Sequence, residues 1–493
     1  MNRALAASLL LLLLLAWSAW LMARGLDRPF ENDMHGGNGA FYSLVARNFR
    51  RYPVAQLAGV MCIEPGASVR EPAIYTHHPP MIGWLVWLSF ALFGEGEWQA
   101  RVVTLVLALL AVIALFVWLR AAFPDSLLAP FTATVLTWAS PIAAHYATMP
   151  DPQGAGVMLA MFVALGGAAR WQRDPRARHL VVVQLGLAFG YLFDWPAFLT
   201  ALMLTWWLWC SREPRARHAA AWVGGGVLAC GTVLLAWLAF MPRGPLPSLG
   251  QAFLERTAAG LDDLSIAQAL RQILVLHARA FSLPTSIAGL IALVWLVACW
   301  RRPATDRSHA LLLIPLGTGV CHVLLFLGGA AIHDYWQIYL APGLALPAAW
   351  AVARMARWGP RWQHAALAAS LALALTTSVA AVRFSERERA AGASQALELK
   401  QLGLLLNRRV ALEGYVAVPM PRCLPLLYYA DRKTVWRFTP AVLADVWQSL
   451  GVQLGAVVLG AAEQFLDTSP LVRAGWSGPV AVGRYRVWTR DPP

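Results

Sequence analysis

Apolar runs of about 20 residues recur along most of this chain, and no other feature constrains its fold so tightly. They fall near 4–23, 79–93, 101–120, 127–149, 153–169, 180–193, 196–210, 219–241, 285–300, 310–330, 336–353 and 364–382. A helix of that length spans about 30 Å of hydrocarbon, and inside lipid only a helix or a closed barrel satisfies its own backbone. The chain is 58% hydrophobic and 13% charged, with a mean hydropathy of +0.53. A soluble protein of 493 residues needs more polar surface than that. The sequence therefore reads as a polytopic α-helical membrane protein.

The formal net charge is +14 and the pI about 10.1. In a soluble domain this balance would suggest nucleic acid. Here the arginines gather in short loops between apolar runs, so they report topology, and no nucleic-acid partner is expected. Treating all twelve runs as spans puts Arg-rich loops on alternating sides. The weakest run, 79–93, is below the usual spanning length and is read as an interfacial helix. About eleven spans (roughly 10–13) then remain, with the N-terminus inside. Arg120, Arg170, Arg215, Arg301 and Arg354 fall inside. The segment 24–100, the loop 242–284 and the tail fall outside. Met1–Met22 is read as an uncleaved first span, because Ala23-Arg24-Gly25 is a poor cleavage site.

The expected organisation is a membrane domain over 1–382 and an outer α/β domain over 383–493. Within the first, residues 24–100 form a large outer loop with interfacial helices, one of them over Ala40–Tyr52. In the tail, strands are expected at Val410–Val418, Leu454–Leu459 and Val480–Trp488, and helices at Leu424–Ala430 and Ala441–Leu450. Six cysteines form no CxxC pair, and Cys62 and Cys423 are the two candidates for a disulfide.

Polar residues that could carry chemistry cluster on the outer face. They are Asp33 in the glycine-rich Glu31–Gly39 stretch, His77-His78 before Pro79-Pro80, Asp151 between two prolines, and His333-Asp334-Tyr335. Each has a bland reading as well: a helix cap for Asp33 or Asp151, interfacial polarity for the histidines, an aromatic belt for the last. Asp194 either lines an acceptor cleft or caps a helix, and the cap is the preferred reading. Glu255, Arg256, His277 and Arg279 are read as a solvated face. Acids and imidazoles at membrane depth are nevertheless costly and often functional.

The order of segments carries a resemblance. GAFYSLVARNFRRY is followed by YTHHPPMIGWLVWLSFALFG, EWQARV, PIAAHYATMPD and, late in the chain, HDYWQIYLAPGLALPAAWA. Over roughly residues 1–380 this resembles the GT-C membrane glycosyltransferases, namely the protein O-mannosyltransferases and the lipid A aminoarabinose transferases. The resemblance implies inverting transfer of a sugar from a polyprenyl-phosphate donor to a hydroxyl of a lipid, glycan or protein acceptor. It places the reaction on the periplasmic face of a bacterial inner membrane. It implies catalytic roles for Asp33 and Asp151, although Asn32-Asp33-Met34 stands where relatives often have an Asp-Glu pair. His77, His78, Arg101, His333, Tyr335 and Tyr339 are implied for the donor phosphate. The His77-His78 pair also suits a divalent metal such as zinc, with His277 or His333 to complete a ligand set. Membrane lipids are the expected surroundings, and a transporter or flippase of a lipid-linked saccharide is the alternative.

Overall fold

The computed structural model describes residues 3–66, 73–211, 213–240, 246–261, 264–300, 307–436, 449–460 and 468–490. Among the described residues, five helices are long and apolar enough to cross a bilayer: Arg3–Met22, Glu97–Ala122, Pro214–Ala239, Asp334–Trp358 and the long helix Pro360–Arg409. A sixth crossing arises if Ile266–Ala280 and Leu283–Cys299, bent by 113° at their junction, count as one. Large apolar side chains point outward from such helices: Leu228 is 73% exposed and Val294 is 70% exposed. In water that would be a liability, whereas in lipid it is the expected surface. The protein is a multi-pass membrane protein.

Several expected spans are built from shorter pieces. The run 127–149 becomes Leu128–Trp138 and Pro141–Tyr146, because Ser140 caps a new helix whose first residue is proline. The demoted run becomes Met81–Phe93, whose 13 residues rise only about 20 Å.

The chain divides into two compact units. The first comprises Met1–Gly25, Thr76–Met81 and Val102–Arg387. Its helices pack as neighbours in sequence, Ala155–Arg173 on Ala177–Tyr191 and Pro196–Trp209 on Pro214–Ala239. Leu340–Met355 packs on both Leu128–Trp138 and Leu283–Trp300.

The second unit comprises Leu26–Tyr75, Ile82–Arg101 and Glu388–Pro493. Part of the segment 24–100 thus belongs with the tail, which the linear sequence separates from it. The helix expected at Ala40–Tyr52 begins earlier, at Met34, because Asp33 caps it. Two short strands, β1 (Met61–Cys62) and β2 (Ile74–Tyr75), pair antiparallel. Among the described residues its sheet has five strands: β3 (Tyr415–Val418), β4 (Lys433–Trp436), β5 (Leu454–Leu459), β6 (Ser477–Val482) and β7 (Tyr485–Thr489). Their order is β4-β3-β5-β7-β6, with β3 parallel to β4 and β5 and the other pairs antiparallel.

Val416, Val418, Ala456, Val458 and Val487 pack on one face against Leu399, Leu402 and Leu406 of the long helix. Ala417, Val457 and Trp488 pack on the other face with Trp476. The helix Leu424–Ala430 matches its expectation. The strand expected from Val410 starts only at Tyr415, because the long helix runs on to Arg409. The strand expected at Val480–Trp488 is a hairpin, reversed at Gly483, whose φ of +54° lies in the left-handed region. The helix expected at Ala441–Leu450 falls almost wholly outside the described residues. Cys62 and Cys423 are buried and free.

Candidate functional site

In the first unit, two short segments hold each other in place. The Met81 N–H donates to the Leu192 carbonyl (3.1 Å), and the Trp195 indole donates to the His77 carbonyl (3.0 Å). Pro79 and Pro80 cannot donate and favour extended backbone before them, so the histidine pair is presented from a stretched segment.

The two histidines receive opposite partners. His78 Nδ1 lies 2.7 Å from Asp194 Oδ1. Asp194 is fully buried, and its second oxygen has no partner among the described residues. A carboxylate only accepts, so His78 carries its proton on Nδ1. His77 Nδ1 instead accepts from Arg256 Nη2 at 3.2 Å. A guanidinium is always protonated, so His77 is neutral and carries its proton on Nε2. Burial, followed by the charges of Arg256 and His78, holds His77 down at about 4.

His77, His78 and Arg256 line a cavity of about 490 Å³ together with Gln153, His322 and Trp336. Its remaining wall is apolar and includes Leu199, Leu235, Phe253 and Leu325. The Arg256 guanidinium also donates to the Ala252 carbonyl and stands 6.0 Å over the Trp336 ring. His322 Nδ1 meets the Trp336 carbonyl at 3.2 Å. A pocket of this size with few convergent polar groups is the usual form of a small-ligand site.

Asp151, Tyr335 and Tyr339 stand next to this wall. Asp151 Oδ1 accepts from the Gln153 N–H at 2.8 Å, and its carboxyl is hydrogen-bonded to Tyr335. Burial, then the charge of Asp194, pushes Asp151 well above the usual carboxylate range. The Tyr339 hydroxyl accepts from the Gly154 N–H at 3.2 Å. His333 stacks on Trp336, and its neighbour Asp334 accepts from the Tyr146 hydroxyl at 2.7 Å.

The second unit holds the other candidates. Asp33 is exposed and caps the helix Met34–Arg51, its Oδ1 accepting from the Gly36 N–H at 2.6 Å. Gly36 is required here: a Cβ would lie 2.1 Å from the Glu31 nitrogen. Arg101 is only 2% exposed. It donates to the carbonyls of Leu26 and Arg28 and lies 4.9 Å from the Phe30 ring centroid. The Phe30 N–H donates to the Tyr429 hydroxyl, which donates to Glu97, itself paired with Lys400 at 2.5 Å.

The metal expectation meets a poor fit. Among the described residues no group of three or more His, Cys, Asp and Glu is arranged to hold an ion. His77 and His78 have their Nδ1 atoms committed to Arg256 and Asp194, and His277 bonds Gln337 while stacking on Phe281.

The sequence reading missed three residues. Asp194 makes no side-chain cap; its carboxylate holds His78. Arg256, taken for part of a solvated face, lines the cavity. Glu31, seen only as part of a motif, is buried at 4% exposure. No local signal separates Arg256 from its neighbours, whereas an acid in the Phe193–Pro196 turn could have been paired with the histidines by the cost of burying it alone.

Residues 77–237 match the family of dolichyl-phosphate-mannose-protein mannosyltransferases. The solved structure of ArnT from Cupriavidus metallidurans bound to undecaprenyl phosphate is similar at 12% identity and a TM-score of 0.65, over 97% of each chain. Archaeoglobus fulgidus oligosaccharyltransferase in complex with Zn and sulfate is similar at 14% identity and a TM-score of 0.61, over 92% of this chain and 68% of that one. AglB from the same organism, in complex with an inhibitory peptide and a dolichol-phosphate, is similar at 12% identity and a TM-score of 0.62, over 99% and 75%. No curated protein sequence matches. The chain has the GT-C fold.

Proposed function

We propose that this protein transfers a sugar from a polyprenyl-phosphate carrier to an acceptor hydroxyl, with inversion, on the periplasmic face of a bacterial inner membrane. The observation that carries the proposal is the cavity of the first unit, where apolar walls end on His77, His78 and Arg256. An isoprenoid chain needs the first and a phosphodiester the second. The similar ArnT structure holds undecaprenyl phosphate, which supports the same ligand class here.

Breaking the bond between the anomeric carbon and the phosphate oxygen leaves charge on the phosphate, and fixed donors in a water-poor site stabilise it best. Arg256, always charged and steadied by its bond to the Ala252 carbonyl, suits that task. We assign it the role expected of Arg101, whose guanidinium is tied to backbone carbonyls. Neutral His77 offers an Nε2–H donor, and Asp194 fixes the tautomer of His78. Asp151 and Tyr335 shape the wall beside Gln153. Attack by the acceptor oxygen requires a group to take its proton, and Asp33, an exposed carboxylate, is assigned that role. No step is routed through a metal. The transporter alternative looks for free polar groups at membrane depth, and His322 is instead bonded to a carbonyl.

The test is donor consumption by purified protein in lipid, with a panel of undecaprenyl-phosphate sugars and hydroxyl acceptors drawn from lipid A, glycan and peptide. Turnover lost in Asp33→Asn and weakened in Arg256→Gln supports the reading. Intact protein that consumes no donor overturns it.

A further inference from the structure

The helix Pro214–Ala239 touches two separate cavities. Near its C-terminus Leu235 lines the cavity described above, and near its N-terminus Arg215, His218, Ala219 and Trp222 line another, of about 450 Å³. About 20 Å of helix lies between Trp222 and Leu235, so the second is no extension of the first. Its opposite wall is Ala177, Leu180 and Val181 of the helix Ala177–Tyr191, and buried Trp171 also lines it.

The spacing of the two helices is fixed. The Gln184 amide donates to the Trp222 carbonyl at 2.8 Å, and Gly226 makes room for it, since a Cβ there would lie 2.2 Å from Gln184 Nε2. The groove between them is therefore built into the packing. Pro214–Ala239 is long and apolar enough to cross a bilayer, so its charged first turns stand at a membrane surface. Trp222 lies about 10 Å deeper than Arg215 along the helix. The cavity thus runs from a charged rim to an aromatic and aliphatic interior.

The charge of the rim is not cancelled nearby. Among the described residues Arg215 forms no ion pair, whereas Arg176, Arg178 and His179 share Asp174. Glu213 lines a different cavity, which has only Trp171 in common with this one. His218 Nδ1 stands 3.3 Å from the Pro214 carbonyl, which can only accept, so Nδ1 carries the proton and Nε2 is left to accept from a hydroxyl. Val181 and Trp222, each 45% exposed, offer apolar surface that a soluble anion would leave uncovered and an acyl chain would cover.

We propose that this cavity binds an anionic, hydroxyl-bearing phospholipid of the phosphatidylglycerol kind, its phosphate on Arg215, a headgroup hydroxyl on His218, and one acyl chain between Val181 and Trp222. Basic pockets between membrane helices take such headgroups, and the cation and the apolar wall select for the two halves of the lipid. The lipid would bridge the two helices as a staple at the end of the bundle that the arginines mark as inner. This goes beyond glycosyl transfer and does not depend on it.

The test uses full-length protein stripped of lipid in neutral detergent, then given phosphatidylglycerol, phosphatidylcholine or inorganic phosphate. Native mass spectrometry and thermal melts follow binding. One phosphatidylglycerol should stay bound where phosphatidylcholine has left, and it alone should raise the Tm. Arg215→Gln should weaken its retention about 10-fold. His218→Phe should narrow the preference for phosphatidylglycerol over phosphatidic acid, which lacks the glycerol hydroxyls. Trp222→Ala should weaken both of these lipids alike. Arg176→Gln removes a charge that is paired with Asp174 and lies outside the lining, and should change nothing. Equal losses in Arg215→Gln and Arg176→Gln would reduce the effect to general surface charge and overturn the proposal. Equal retention of phosphatidylcholine, or equal stabilisation by inorganic phosphate, would overturn it as well. Sugar transfer is not read in this experiment, so a failed transfer reading and a failed lipid site are told apart.

Discussion

The two units bury charged groups in opposite ways. In the first, polar side chains in and near the cavity are paired with other side chains: His78 with Asp194, His77 with Arg256, Asp334 with Tyr146. In the second, buried Arg101 donates to the backbone carbonyls of Leu26 and Arg28 rather than to a side chain matched to it. Burial, then the charge of Arg256, keeps His77 neutral. Burial, followed by the charge of Asp33, pushes the Glu31 carboxyl up to about 7 against the opposing charges of Arg101, Arg28 and Arg389. The first arrangement suits a binding site whose electrostatics stay constant through the reaction.

The largest effect that would break this comparison belongs to Asp33. Asparagine caps a helix as well as aspartate, so Asp33→Asn keeps the Gly36 contact while removing the base. We expect turnover to fall about 10²- to 10⁴-fold with unchanged thermal stability. An equal loss of folded protein would reduce Asp33 to a structural cap.

Next comes Arg256→Gln. Losing a charge-assisted contact should raise the KM for the lipid donor about 10- to 100-fold. The same change should move His77 upward from about 4 in an NMR titration, yet not to its ordinary value, since burial is the larger cause. A His77 titration unmoved by this change would show that the pairing does not set its state.

A smaller effect is expected for the His78–Asp194 pair. Either Asp194→Asn or His78→Gln should cost about 1–3 kcal/mol of stability, because each leaves a buried partner unmatched. The double variant should cost less than the sum, and thermal melts of all four proteins would show it. Strict additivity would mean the pair is not coupled. Smallest of all, Gly483→Val strains the β6–β7 hairpin at a positive φ. It should destabilise the second unit by about 1 kcal/mol and leave donor KM alone.

The residues alone determined the class. Hydrophobic length is a local property, so the helical membrane architecture, the helix Leu424–Ala430 and the strand Leu454–Leu459 were all legible. His77, His78 and Asp151 stood out because polar groups beside apolar runs are rare. Tertiary structure decided everything that depends on which distant segment arrives as a neighbour. It broke the run 127–149 at Ser140 and Pro141 and folded Val480–Trp488 back at Gly483. It also gave two adjacent and chemically identical histidines an arginine and an aspartate from segments 179 and 116 residues away. Charge state follows burial and partners, and neither is a property of sequence spacing.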